Sequence, residues 1–143
     1  MSSPAWWTKA VIYELYVDKF AGNFTGLTSK LGYFSDLGVD TIWILPHYPS
    51  PMVDDGYDIS DYEGIRPELG TMGDFDRFVT EANSQGLKVM IDMVLNHTSD
   101  KHPWFLEAAS SKDNPKRNWY LWNNDQARFP EAYVHFQEVK TNN

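Results

Sequence analysis

Cysteine is absent from the 143 residues, which excludes disulfide bridges and thiolate metal ligands and leaves the redox surroundings unreadable. Basic side chains are scarce: twelve Lys and Arg against twenty Asp and Glu give a formal net charge of −8. That is the wrong sign for a phosphate backbone, which binds through Lys/Arg surfaces, so no nucleic-acid partner is expected. No run approaches the roughly 18 apolar residues of a membrane helix. The opening "MSSPAWWTKAV" also lacks a charged stretch leading into a long apolar one, so a cytoplasmic protein with no membrane partner is expected. On that expectation the sequons at Asn23 and Asn96 are chance matches. Low-complexity tracts and convincing internal repeats are missing too. What remains is a globular mixture, 42% hydrophobic and 22% charged, at an ordinary length for one domain.

Three apolar runs rich in β-branched and aromatic residues read as strands: "VIYELY" at 11–16, "TIWIL" at 41–45 and "LKVMIDMV" at 87–94. Between the first two, Leu27, Leu31, Phe34 and Leu37 fall on one helical stripe that Gly38 ends, predicting one helix despite Gly32. Between the second and third, Thr71 is placed to cap a helix with Asp74 three residues on. Phe75, Phe78, Val79 and Ala82 form its stripe and Gly86 its stop. The order β-α-β-α-β indicates parallel strands with helical crossovers. "HPWFLEAASSK" reads as a short helix opened by Pro103, and the rest is aromatic and irregular, with a weak strand at "AYVHF". Three such units fit either a small flavodoxin-like sheet or the first part of an eight-strand barrel. The connection from Pro46 to Gly70 is about five times the usual βα loop. Both architectures place active sites at that end of the strands.

Asp92 interrupts an apolar strand, on the less apolar of its two faces. In a barrel that face points inward, where a carboxylate must meet a cation or several donors. A structural ion pair would serve as well as a functional one. His97 and Asn96 come at the strand's end, where a histidine is often a plain loop hydrogen-bonder. The long loop carries "PSPMVDDGYDISDYEG", with Asp54, Asp55, Asp58 and Asp61, two tyrosines and a glycine suited to a tight turn. Acids among hydroxyls suggest a cation or polyol site, although such composition is more commonly a solvated acidic loop. Position favours the site, because this loop and the Asn96–His97 turn succeed neighbouring parallel strands and share one mouth. Aromatics reach 15%, with six Trp, and suit sugar rings, although most are expected in packing. Tyr57, between an acid and a glycine, is the exception. Trp6, Trp7, Trp43 and the Trp119–Trp122 cluster are assigned to packing.

Four ordered stretches, "WWTKAVIYELYVDKF", "LGYFSDLGVDTIWILPHYPSPMVDDGYDISDY", "LGTMGDFDRFV" and "GLKVMIDMVLNHTSDKHPWF", closely resemble the α-amylase superfamily of glycoside hydrolases. Within it they resemble the α-glucosidase, amylosucrase and trehalose synthase/maltose glucosyltransferase branch. The resemblance implies an α/β fold, a partial (β/α)8 TIM barrel comprising the first three βα units. Residues 1–98 would be the N-terminal part of the barrel, and residues 99–143 the beginning of domain B, the insertion after strand three.

The implied activity is hydrolysis of, or glucosyl transfer from, α-glucosides. The resemblance makes Asp92 the support of a catalytic arginine and nucleophile, His97 a hydrogen-bonder to the sugar in the −1 subsite, Asp54 the acid on that sugar's outer hydroxyls, and Tyr57 the ring stacked on it. It also implies a retaining mechanism with two carboxyls about 5 Å apart. Those carboxyls, and the arginine facing Asp92, correspond to positions beyond Asn143, so the chain is expected to be an N-terminal part that does not turn over a glycoside alone. The calcium loop of many relatives has only "VDKFAGNFTG" in its place, and Asn96 alone matches a calcium ligand, so no metal or cofactor is expected. A non-catalytic saccharide-binding protein is the alternative, and a degenerate piece with neither role a third. Self-association through the exposed edge of strand three is expected.

Overall fold

The structure is a computed structural model that describes residues 5–122. These divide between Ser99 and Asp100 into two compact units.

The first unit is built on three short parallel strands, β1 (Ile12–Leu15), β2 (Thr41–Ile44) and β3 (Lys88–Ile91), in the order β1-β2-β3. Ile12 to Leu15 pair in step with Thr41 to Ile44, which pair with Lys88 to Ile91. A flavodoxin-like sheet would set the first strand between its neighbours. Here the second strand is central, so consecutive strands adjoin as they do around a barrel.

The crossovers are helical. α1 (Val17–Ala21), α2 (Phe24–Ser29) and α3 (Leu31–Leu37) join β1 to β2, and α4 (Met72–Ser84) precedes β3. The single helix expected from the Leu27–Leu37 stripe is two, broken at Lys30 (φ −102°, ψ 7°). Asn23 caps α2, its Oδ1 accepting from the Gly26 N–H at 2.8 Å. Leu27, Leu31 and Phe34 are buried as the stripe requires, but Leu37 is 55% exposed. It is the last residue of α3, before the left-handed Gly38 at φ 77°, and lies past the packed part of the face.

α4 matches its reading closely. Thr71 Oγ1 accepts from the Asp74 N–H, and the Asp74 carboxylate accepts in return from the Thr71 N–H at 2.8 Å. The Thr71 hydroxyl and backbone bonds hold the Asp74 carboxyl below its ordinary pKa. Replacing Thr71 with Ala removes half of this box and is expected to cost about 1 kcal/mol, read as a lower urea midpoint at neutral pH.

Alternation along the strands separates two faces. Tyr13, Leu15, Ile42, Ile44 and Val89 pack with Phe24, Leu27, Leu31, Phe34, Phe78 and Ala82 from the helices into one core. Three of its phenylalanines, Phe24, Phe34 and Phe78, are fully buried. On the opposite face Ile12, Glu14, Trp43 and Met90 are exposed or half-buried, while Thr41 is fully buried.

The third strand ends sooner than expected. Asp92 and Val94 lie beyond it, although the Asp92 N–H still donates to Ile44 O at 2.9 Å and so continues the ladder by one bond. The packing assigned to the tryptophans is corrected in part. Trp6 and Trp7 are exposed and Trp43 is half-buried, whereas Trp119 and Trp122 meet the rings of Trp104 and Phe105. Cations also meet some of the rings, such as Lys88 Nζ at 5.0 Å from the centroid of Trp6.

In the second unit, α5 (Pro103–Ser110) opens where Pro103 predicts, with His102 Nδ1 accepting from the Trp104 N–H at 3.1 Å. A 3-10 turn at Arg117–Trp119 comes next. Phe105 meets Tyr120 and Trp122 at 5.2 and 5.8 Å, and the Arg117 guanidinium lies 3.3 Å over the Trp122 ring. The strand expected at 132–136 lies outside the described residues. No helix among the described residues is long and apolar enough to cross a membrane.

Candidate functional site

The mouth of the sheet is made by the segments that leave the C-terminal ends of its strands. Tyr16 leaves β1, the long loop leaves β2, and Asp92 to His97 leave β3. No strand or α-helix lies between Ile44 and Met72. Even so, the loop is sewn down by backbone bonds: Arg66 N–H to His47 O (2.8 Å), Ser60 N–H to Pro49 O (2.9 Å) and Ser99 N–H to Ile59 O (2.8 Å). Beneath it Tyr48, Ile59 and Val94 are buried, with Tyr57 and Tyr62 packed on them.

The tip of the loop is tightly turned. Gly56 has φ 96°, and a Cβ there would also come within 3.3 Å of Pro46 O. Glycine is therefore required on two counts, backbone conformation and space. The turn closes with the Tyr57 N–H donating to Asp54 O at 2.8 Å, so the two expected sugar-contacting residues sit at the ends of one turn.

Asp92 is half-buried, with the Tyr57 hydroxyl beside its carboxylate. Burial first, and then the neighbouring Asp92 carboxylate and Tyr16, push the Tyr57 hydroxyl well above the ordinary tyrosine pKa. Burial and the Asp55 charge likewise raise Tyr16, and burial followed by the Asp92 charge raises Tyr48. Tyr48 is itself anchored by donating to Asp92 O at 3.1 Å. Residues from the ends of all three strands thus meet around Tyr57 and Asp92. No ion pair to Asp92 occurs among the described residues.

His97 is exposed at the mouth. The Asn96 side-chain amide, 3.0 Å away, donates to its Nδ1, which leaves the proton of the neutral ring on Nε2 as a donor. Tyr62 holds the turn, its hydroxyl 2.8 Å from both Val94 O and His97 O. The structure ties Tyr57 to Asp54 through the turn, and ties Asp92 and His97 to the same loop through Tyr48 and Tyr62.

Not all four loop acids present themselves to a ligand. Asp58 accepts from Ser50, Val53 and Asp54, and Asp61 accepts from the Glu63 N–H. Among the described residues no three His, Asp or Glu side chains converge as metal ligands.

Sequence reasoning missed the group behind the mouth. His47 is 3% exposed, stacked on Tyr48 at 4.3 Å and on Phe75 at 5.3 Å, with the edge of Phe24 at 6.0 Å. Among the described residues its Nδ1 has no partner. Burial, and then the charge of Arg66, lower its pKa to about 4, so it is neutral at pH 7. Arg66 is buried as well and pairs with Asp18 at 3.2 Å. Nothing periodic marks these positions, because their partners come from three different elements.

The comparison that decides the family is a match of residues 7–141 to the family model described as "Alpha amylase, catalytic domain". The chain belongs to the α-amylase family. Its parallel sheet and helical crossovers are accordingly part of that family's (β/α)8 barrel. This α-amylase family chain is similar to an oligo-1,6-glucosidase of Parageobacillus thermoglucosidasius, 47% identical over 124 residues that cover 82% of the chain and 22% of the relative. A trehalose synthase of Thermus thermophilus is 46% identical over 147 residues, covering 98% of the chain and 15% of the relative. Among solved structures, the isomaltulose synthase PalI from Klebsiella sp. LX3 shares 47% identity at a TM-score of 0.81, covering 88% of this chain and 24% of that one. The chain therefore spans less than a quarter of the length of these relatives.

Proposed function

We propose that this chain supplies one side of the glucose-binding mouth of an enzyme that hydrolyses α-glucosides or transfers glucosyl groups from them. In this reading Asp54, Tyr57 and His97 contact the sugar of the −1 subsite. Asp92 takes no part in the bond change and instead positions an arginine and the nucleophile. Residues 1–98 then belong to the barrel, and residues 99–143 begin domain B.

The observation that carries the reading is the anchoring of the long loop to the end of β3, with Tyr48 bonded to Asp92 O and Tyr62 to Val94 O and His97 O. It brings the long loop and the end of β3 to one place, with an aromatic face, carboxylates and the His97 Nε2–H donor at the same mouth. An aromatic ring for the apolar face of a pyranose, with acceptors and a donor for its hydroxyls, is what recognition of a sugar requires. The names of the relatives, oligo-1,6-glucosidase and trehalose synthase, point to α-glucosides in particular.

Titration of the 15N-labelled chain with maltose tests this. Shifts confined to residues just past the three strands, lost in Asp54→Ala, are the expected result, without turnover by the 143-residue chain alone. No shift at tens of millimolar sugar, or the same shifts in Asp54→Ala, would sink the reading.

A second expectation comes from the β1 residue Ile12, from β3, whose outer edge pairs with no strand among the described residues, and from the segment after it: Ile12, Ile91, Met93 and Leu95 are 44%, 37%, 53% and 84% exposed. The isolated chain self-associates. Sedimentation velocity across a concentration series should show growing species, and a monomer at every concentration overturns that expectation.

A further inference from the structure

Asp58 is a long-loop acid to which the family reading gives no part, yet the loop is tied to it. Its Oδ1 accepts from Ser50 Oγ at 2.6 Å and from the Asp54 N–H at 3.2 Å, and its Oδ2 from the Val53 N–H at 3.0 Å. Ser50 Oγ in turn accepts from the Met52 N–H at 2.9 Å. One carboxylate and one hydroxyl thereby gather the backbone of residues 50–54. Hydrogen bonds to an ionised acceptor are stronger than neutral ones.

The gathered backbone is one that does not form unaided. Met52 at φ 60° and Asp55 at φ 49° both occupy the left-handed region, which side chains bearing a Cβ disfavour. Two such residues within four positions persist only where their surroundings impose the turn. Asp58 lies past the far end of that turn and is half-buried. Asp54 is half-exposed, and what the loop takes from it is its N–H and C=O, not its carboxylate.

We propose that Asp58 is a positioning residue: it fixes the backbone of residues 50–54 before any sugar arrives, and so sets the direction in which Asp54 presents its carboxylate and Tyr57 its ring. This rests on reading Asp54 and Tyr57 as sugar-contacting residues. An ordered loop spares the sugar the entropy of arranging it, which appears as affinity.

Amide hydrogen exchange on the 15N-labelled 143-residue chain, with maltose titration alongside, provides the test. Asp58→Ala should speed exchange at both Val53 and Asp54 by tenfold or more and weaken maltose binding by a similar factor. Protection of β2 from Thr41 to Ile44 should stay as in the wild type. Asp58→Asn leaves one acceptor oxygen, so exchange should rise at one of the two amides and not at the other. This gentler variant also serves where the alanine variant does not fold.

Unchanged exchange at Val53 and Asp54 overturns the proposal. Protection lost throughout β1, β2 and β3 in Asp58→Asn also overturns it, because Asp58 would then support the fold as a whole. If the wild-type chain shows no maltose-dependent shift, the sugar reading fails, while the exchange pattern still decides whether Asp58 orders the loop.

Discussion

Replacing His47 with phenylalanine should flatten the acid limb of the chain's stability profile, so that the variant gains about 2–3 kcal/mol on the wild type between pH 7 and pH 4.5. The folded chain holds His47 at a pKa of about 4 against an ordinary 6.5. Above pH 6.5 neither the folded nor the unfolded form binds this proton, and stability does not depend on it. As the pH falls from 6.5 towards 4, the unfolded chain takes up the proton and the folded chain does not, so the folded state loses ground. Below 4 both bind it and the loss is complete. Phenylalanine keeps a flat ring between Tyr48 and Phe75 and removes both the titration and the unpartnered Nδ1. Urea midpoints at the two pH values measure the difference. Parallel losses in the two proteins would mean that His47 is already protonated in the folded state or that water reaches it.

Removing the Asp18 side chain should cost about 3 kcal/mol. Asp18 is the acid on the Arg66 guanidinium, whose side chain is 6% exposed, against 32% for the aspartate itself. A buried charge deprived of its partner is costly, whereas exchanging the whole pair for apolar groups is often neutral. Asp18→Ala alone should therefore lower the urea midpoint sharply, and adding Arg66→Met should restore most of the loss. The single variant also takes away the charge that offsets Arg66 near His47, which should widen the pH range over which His47 stays neutral. A neutral single variant would show that Glu68, 3.9 Å from Arg66, or water holds the guanidinium well enough.

The three strands, α4 with its cap, and the opening of α5 at Pro103 were legible because each depends on neighbours in sequence. Periodicity carried them to within one or two residues at most ends. It failed where a stripe continued through a break, as at Lys30, and where a strand's alternation outlived its pairing, as from Asp92 to Val94. Of the candidate mouth, Asp54, Tyr57, Asp92 and His97 are singled out by composition and by resemblance, and the structure closes Asp54 and Tyr57 into one turn. The supports were not legible. His47 finds its stacking partners in Tyr48 beside it and Phe75 on α4, Tyr62 reaches the carbonyls of Val94 and His97, and Arg66 reaches back to Asp18. Apart from the stack on Tyr48, these contacts join residues that lie tens of positions apart, and no local pattern encodes them.

The one-sided core has a consequence for how such a sequence can change over time. Along β2, Ile42 and Ile44 are fully buried against the helices, while the residue between them, Trp43, is half-buried on the other face. Substitutions at the first kind of position are constrained by packing volume, those at the second by whatever the open face must meet. Neighbouring codons of a single strand therefore answer to different selective pressures. Drift on one face can change what that face meets without disturbing the folding of the unit, and repacking of the other can adjust stability without altering the open face.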